Sequence, residues 1–585
     1  MILQKTNITF KDIKADIYLG SWCTNSIEAI SKKNIHKYHW SNLRKFENDS
    51  ILILKYYEYF IKKITPILNS VNRENNDHKY WQRIVGPWLL YFISVVFERL
   101  ENLKSLENKS NIKTYLPKYD FKEWIPLDFV DFEDMILRDE WNLYIYSEIV
   151  KISNIVNFKI LDNNIVNKNI YKRKKDATLK KISKKFIYYF IKLLPEKLRN
   201  ICLIETKLNL SDIFWINLRL RKFPFQYYIR ENTKIKNINI NLRNECTTKN
   251  KLQIDNDEFC QLFASLIFNN IPIAYLESFN SNRKRAMRIY PKNPKFIFTS
   301  SAYFSNEMFK IWTAEKSKEN KKIFVQVHGG HHATASFNHP GQFTEKIADK
   351  FFTWGWGTNI LSSPKLSRLK VKINKYKSYR KKLKICLVIF SANKYSNSIT
   401  SSPTSSNFLK SLKDYEKLFL NIKKTILKNL TIRIRKSSNG WDIEKYFRSL
   451  GVTNFSYLNK INYNFIDNFK KLVSKHSLFI CTYDSTMFYE LLTLNVPTLI
   501  YLDEKFWKLN KNSKKDFDKL SNVNIYFNSI EKLSNYLNKI NQDEINKWWF
   551  SDDTQKIKDN FLQNYGRSNI DYSNEWINII KKNIN

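Results

Sequence analysis

The sequence predicts an α/β protein in which two Rossmann-like domains face each other across a cleft, with a helical elaboration in the N-terminal half. Three observations carry that expectation. From residue 295 onward, short apolar strands alternate with helices through short connections, the pattern of parallel β-α-β units. A basic, low-complexity stretch at 364–382 interrupts the alternation and splits it into two units. Five of the ten glycines and four of the eight histidines gather beyond the end of one strand, where open parallel sheets bind ligands.

In chain order, residues 13–22 (IKADIYLGSW) read as a buried strand running into a Gly-Ser turn. Residues 51–68 and 80–103 carry apolar side chains at three- and four-residue spacing and read as helices, with Pro87 near a start or at a kink. The stretch 105–290 is rich in Lys, Asn and Ile and poor in glycine, and reads as a mostly helical insertion. Within it, the basic run 171–185 reads as a solvated helix or loop. Strands at 295–300, 322–327 and 351–356, with a helix at 305–315, make the first α/β unit. The second unit has strands at 384–391, 430–435, 478–482 and 498–503, and an edge strand at 523–527. Its helices fall at 405–427, 441–450, 465–475 and 485–494, an alternation that argues for a doubly wound parallel sheet. The expected domains are therefore 1–363, a linker at 364–382, 383–540, and a helical tail at 541–585.

The bulk numbers narrow the function classes. Of the 585 residues, 43% are hydrophobic and 15% aromatic, enough for a large core. The net charge of +43, from 98 Lys and Arg against 55 Asp and Glu, points on its own to a polyanionic partner. The excess is mostly Lys, however, and comes with abundant Asn and Ile and few Gly, a composition that AT-rich codons produce without such a partner. No nucleic acid is expected; a basic surface that concentrates anionic substrates is. The six cysteines are scattered with no C-x-x-C pair, which fits a reducing cytoplasm. No signal peptide is expected from the first sixteen residues, which lack an apolar core. The longest apolar run, 84–97, falls short of the roughly 20 residues that span a bilayer and reads as a buried core helix. A Lys-rich surface leaves peripheral contact with the inner membrane open.

The histidine loop VHGGHHATASFNHPGQFTEK combines special backbone geometry with titratable imidazoles. A transferase needs a base for the acceptor's proton and cations or amides for a leaving phosphate. His328, held by the strand end, is the candidate base, and Glu345 is grouped with it. Gly329, Gly330, His331 and His332 are candidates for acceptor contacts. The H-G-G-H-H spacing is no standard ligand set, so no metal is expected. A second constellation, Thr482-Tyr483-Asp484-Ser485-Thr486 followed by Glu490, sits where a strand meets a helix. Asp484 or Ser485 can cap that helix, and its free amides with two hydroxyls suit a phosphate. Glu490 can bond a ribose hydroxyl. Arg433 and Arg435 share a strand face and can pair with a diphosphate or with a sugar carboxylate. No phosphate-binding P-loop, dinucleotide fingerprint or nucleophile elbow is present.

These residues carry a resemblance. Tyr18-Leu19-Gly20-Ser21-Trp22-Cys23, Tyr38-His39-Trp40, Leu68-Asn69, His78, Tyr80-Trp81 and Gly86-Pro87-Trp88-Leu89-Leu90 come first, then Val327-His328-Gly329-Gly330. Glu345-Lys346-Ile347-Ala348-Asp349 with FFTWGWG, and TYDSTMFYELLTLNVPTLIY, complete the set. In this order they resemble the predicted surface-carbohydrate transferases of bacteria, over nearly the whole chain but weakly across 105–290. The second half also resembles CDP-glycerol glycerophosphotransferases and other GT-B enzymes of cell-surface polymers. That likeness implies a GT-B-like fold, with 1–363 on the acceptor side and 383–540 binding the nucleotide donor. It implies His328 as base, Ser485 and Thr486 at the donor phosphate, and Glu490 by the nucleoside. The partners it implies are a nucleotide-sugar donor as co-substrate, with no other cofactor, and a glycan or lipid-linked glycan acceptor. The glycerophosphotransferases' second His-Pro motif is missing, which leaves the donor class open. Two rival readings are a basic nucleic-acid-binding protein and an inactive scaffold relative of the transferases.

Overall fold

A computed structural model describes residues 1–10, 13–28, 30, 33–107, 111–165, 178–234, 236–248, 256–372, 383–435, 439–458 and 465–584. Three sheets organise the described residues, and every strand pair in them is parallel.

The second half forms one six-stranded sheet. In spatial order its strands are Asn454–Leu458, Leu430–Arg435, Ile385–Val388, Leu478–Cys481, Thr498–Tyr501 and Tyr526–Phe527. This is a doubly wound sheet whose strand order reverses between Ile385–Val388 and Leu478–Cys481. The central strands are continuous apolar runs because helices cover both faces. Cys386, Val388, Phe479 and Cys481 pack on one face with Phe488 and Phe517. Ile385, Leu387, Leu478 and Ile480 pack on the other with Phe408 and Phe447.

The first half departs from expectation. It contains two four-stranded sheets, not one sheet with a helical insertion. One sheet runs Ile17–Tyr18, Ile2–Gln4, Lys113–Lys118, Asn157–Asn164, and the other Ile201–Ile204, Phe296–Thr299, Ile323–Gln326, Lys350–Phe352. The stretch 105–290 thus supplies three strands as well as helices. Two long helices, Leu43–Asn72 and His78–Lys104, pack on each other in the N-terminal core. The apolar run 84–97 lies wholly buried inside the second, with Pro87 accommodated mid-helix. Among the described residues, no helix is long and apolar enough to cross a membrane. All six cysteines are buried, and among the described residues none is joined in a disulfide.

The expected linker begins as a helix, Pro364–Lys372; residues 373–382 lie outside the described residues, as do 171–177 of the basic run. The C-terminal tail does not stay with the second half. Its last helix, Tyr572–Ile584, returns to the four-stranded sheet of residues 201–352, where Trp576 stacks 4.5 Å from Phe298.

Candidate functional site

The carboxyl ends of two sheets meet at one wall. A cavity of about 300 Å³ opens at the reversal point of the six-stranded sheet, lined by Phe390, Ser391, Arg435, Asn439 and Tyr483 among others. This is where doubly wound sheets leave a crevice between diverging crossovers. A second cavity of about 390 Å³ lies beyond strands Phe296–Thr299 and Ile323–Gln326, lined by Ser301, His328, Gly329, His332 and Thr344, with Tyr91 and Glu133 from the N-terminal part. His331 lines both.

The loop carrying His331 is bound to the second half by backbone. Ser336 donates to the Lys508 carbonyl, Asn510 to that of Thr334 and His339 to that of Ile399. Two glycines let it approach the helix Thr486–Thr493. A Cβ on Gly330 would stand 2.1 Å from the Tyr489 ring, and one on Gly329 would stand 3.3 Å from the Thr486 hydroxyl. The histidine loop and the start of that helix are therefore in direct contact.

At this contact His331 Nδ1 lies 2.9 Å from Asp484 Oδ2. Thr334 donates its hydroxyl to the same oxygen. A carboxylate only accepts, so Nδ1 carries a proton, and in the neutral ring Nε2 holds the free lone pair. Nε2 has no hydrogen-bond partner and is covered in this structure. Trp507 stands edge-on to the ring at 5.8 Å and limits its tilt.

The other histidines are held differently. His328 Nε2 faces Lys207 Nζ at 3.4 Å. The residue is exposed at the cavity mouth, yet the protein packed round its ring and the Lys207 charge push its pKa down to about 4, although the Ser300 carbonyl pulls the other way. Lys207 is itself lowered to about 8 by burial and by Lys365. His332 Nε2 bonds Glu345 Oε1 at 2.8 Å, and its ring fills the space a Cβ on Gly341 would need. Glu345 therefore clamps the loop and does not line either cavity. His339 is buried below the site, its pKa lowered to about 3 by burial.

The residues expected at the donor divide into two groups. Arg435 and Asp484 line the first cavity. Ser485 caps the helix, its hydroxyl accepting from the Met487 amide at 3.3 Å, and Thr486 follows at the interface with Gly329. Asp484, however, is turned toward His331, a buried partner of the imidazole and not a free donor contact. Glu490 is brought to neither cavity, because its buried carboxylate is paired with Lys365 of the helix Pro364–Lys372. Arg433 lies deeper than Arg435, with Nη1 donating to Ser456 at 3.0 Å.

Sequence reasoning missed Thr334, Trp507, Lys207 and Glu133. The last sits in the 105–290 stretch, and burial raises its pKa to about 7 against the pull of Lys310. A carboxyl that titrates near neutrality in a cavity marks a candidate proton-transfer group. No local sequence pattern signals it.

Two solved structures are similar to parts of the chain. MurG of Acinetobacter baumannii is 11% identical with a TM-score of 0.29, covering 52% of this chain and 78% of that one. The glycosyltransferase SnogD of Streptomyces nogalater is 9% identical with a TM-score of 0.31, covering 65% and 99%. Likeness at these scores carries no argument about activity. No curated protein sequence matches the chain. A family model, by contrast, matches residues 2–580, which takes in all three sheets, the histidine loop and the Asp484 helix: the chain belongs to the LIC12162 family of transferases.

Proposed function

We propose that this transferase is a glycosyltransferase of the GT-B type, moving a sugar or related group from a nucleotide-activated donor to a cell-surface polysaccharide precursor. The observation that carries the reading is His331, one imidazole oriented by a buried carboxylate and shared by cavities at the ends of two parallel sheets. In this reading residues 383–540 hold the nucleotide in the first cavity and residues 1–363 hold the acceptor in the second. The acceptor hydroxyl gives its proton to His331 Nε2 as its oxygen bonds the anomeric carbon. The bond from that carbon to the donor phosphate breaks, and the electron pair leaves with the nucleotide. Asp484 stabilises the imidazolium that results. Arg435, which lines the first cavity, offsets the charge on the leaving phosphate; Ser485 and Thr486 line neither cavity in this structure. The proposed step calls on no metal. Because Nε2 is covered in this structure, acceptor entry requires the histidine loop to shift.

His331 replaces His328 as the proposed base. A ring held near pKa 4 with Lys207 against its Nε2 is a poor proton acceptor at neutral pH. His328 and His332 become acceptor-side contacts. A cytoplasmic setting fits six cysteines that form no disulfide among the described residues.

A thermal-shift screen of nucleotide sugars tests the donor half of this reading. A ligand present at about 100 times its Kd adds about 2.7 kcal/mol to stability. One nucleotide class is expected to raise the melting temperature of the wild type and of His331→Gln, and to do so less in Arg435→Ala. No shift with any nucleotide sugar would remove the first cavity as a donor site.

A further inference from the structure

The helix Thr178–Leu193 is seated by two buried side chains, Tyr188 and Ile191, with the Tyr188 hydroxyl donating to the Arg288 carbonyl at 3.2 Å. The opposite face of a surface helix ordinarily carries polar side chains. Here it carries Phe186, Ile187, Tyr189, Phe190 and Leu193, and all five are exposed, Leu193 at 85% and Phe186 at 75%. The apolar surface does not end with that helix. Phe190 lies 6.2 Å from Phe223, Phe223 6.0 Å from Phe225, and Phe225 5.3 Å from Phe214, which stands 5.3 Å from Trp215. This chain of rings joins the first helix to a second, Leu210–Arg219, which exposes Leu210, Trp215 and Leu218. Soluble chains rarely leave so many large apolar side chains in one contiguous, exposed patch.

The charges around the patch identify what it meets. Between residues 186 and 225 there are seven Lys and Arg (192, 197, 199, 207, 219, 221, 222) against three acidic residues. One of the three, Asp212, is buried and paired with Arg368. Lys192 and Arg219 are exposed and adjoin the exposed Leu193 and Leu218 in the chain, and exposed Phe, Tyr, Trp and Leu interspersed with lysine and arginine is the composition of surfaces that lie in the interface of an anionic bilayer. A protein partner would not require those flanking cations.

The patch is also tied to the second cavity. Lys207, which faces His328 at the cavity, stands three residues before Leu210. Arg230, five residues after Phe225, donates to the carbonyl of Ser305, which lines the same cavity. We propose that the faces of helices Thr178–Leu193 and Leu210–Arg219, with the Phe223–Phe225 turn, seat the protein on an anionic lipid surface and bring the second cavity to an acceptor carried on a lipid. The choice of acceptor rests on the transferase reading above; the lipid surface does not.

Flotation with vesicles of phosphatidylcholine alone, or with about a third phosphatidylglycerol, tests this directly. The wild type is expected to float with the anionic vesicles and to be released by high salt. The variant Phe186→Ser, Leu193→Ser, Trp215→Ser, Phe225→Ser changes only exposed side chains, so its melting temperature and its nucleotide-induced shift are expected to match the wild type. Its anionic-vesicle binding is expected to fall about ten-fold or more. A wild type that ignores both vesicle types while still responding to a nucleotide overturns the lipid surface and spares the transferase reading. A wild type that floats but responds to no nucleotide does the reverse. A dimer in solution that the four changes convert to monomer would assign the patch to a second copy and overturn the proposal.

Discussion

The two parallel sheets that meet at His331 build their cavities by different means. The six-stranded sheet reverses its strand order, so the fold alone opens a crevice, and the first cavity is lined almost wholly by residues 389–507. The sheet of residues 201–352 keeps its strands in sequence order and has no reversal. Its cavity needs walls from elsewhere, namely Tyr91 and Glu133 of the N-terminal part. A pocket made by topology can be anticipated from the alternation of strands and helices. A pocket assembled from distant pieces cannot, and in this chain that second pocket holds Glu133 and His328, whose pKa values burial displaces in opposite directions. The two histidines follow the same division. His331 is bound by the reversing sheet's Asp484, whereas His328 is bound by Lys207 of its own sheet.

The strongest way to break this contrast is at His331. His331→Gln is expected to lower transfer by about 10²–10⁴-fold, the range of a lost general base, with nucleotide affinity little changed. Asp484→Asn is expected to fall in the same direction, because an amide can donate to Nδ1 and shift the ring proton to Nε2. Single-turnover rates beside nucleotide binding separate the two effects. Retained transfer in His331→Gln removes the shared-imidazole mechanism.

How much of this was legible in the sequence follows the same line. The strand Leu430–Arg435 and the helix Phe465–Lys475 fall where periodicity and flanking residues put them. The strand Asn157–Asn164 was hidden, because it is polar and exposed along most of its length and lacks a buried strand's pattern. Ile201–Ile204 was hidden because four apolar residues suit a strand and a helix equally. At the site, sequence marked the histidine loop and the Asp484 helix but not which imidazole meets the carboxylate. That choice is made by a contact across 153 positions of chain. Nor did it foresee the pairing of Glu490 with Lys365, which sits in the helix Pro364–Lys372 at the start of the expected linker.

The second cavity can be probed through Glu133. Burial raises this carboxyl to about 7, so the folded chain holds the proton more tightly than the unfolded one. The stability this brings is fully present below the unfolded value near 4.5 and is lost as pH rises through 7. Glu133→Gln is therefore expected to be more stable than the wild type at pH 8, by at most about 3 kcal/mol before the solvent reaching this side chain is allowed for. The gain should vanish below about pH 4.5. Denaturant melts at the two pH values check it. A constant offset would mean that the glutamate does not feel the burial its cavity imposes.

The smallest effect is expected at His328, and it sharpens the comparison most. If this ring only lines the acceptor cavity, His328→Gln keeps a neutral polar group in place, and transfer should fall by no more than about ten-fold. Its pKa near 4 supplies a second readout. A base with that pKa is already unprotonated at pH 5, so transfer depending on it would be flat from pH 5 to 8 and would fall only toward pH 4. Such an acid limb in the wild type, absent from His328→Gln together with most of the rate, would return the base to the strand end. An unchanged profile in the variant leaves proton transfer with the imidazole that Asp484 holds.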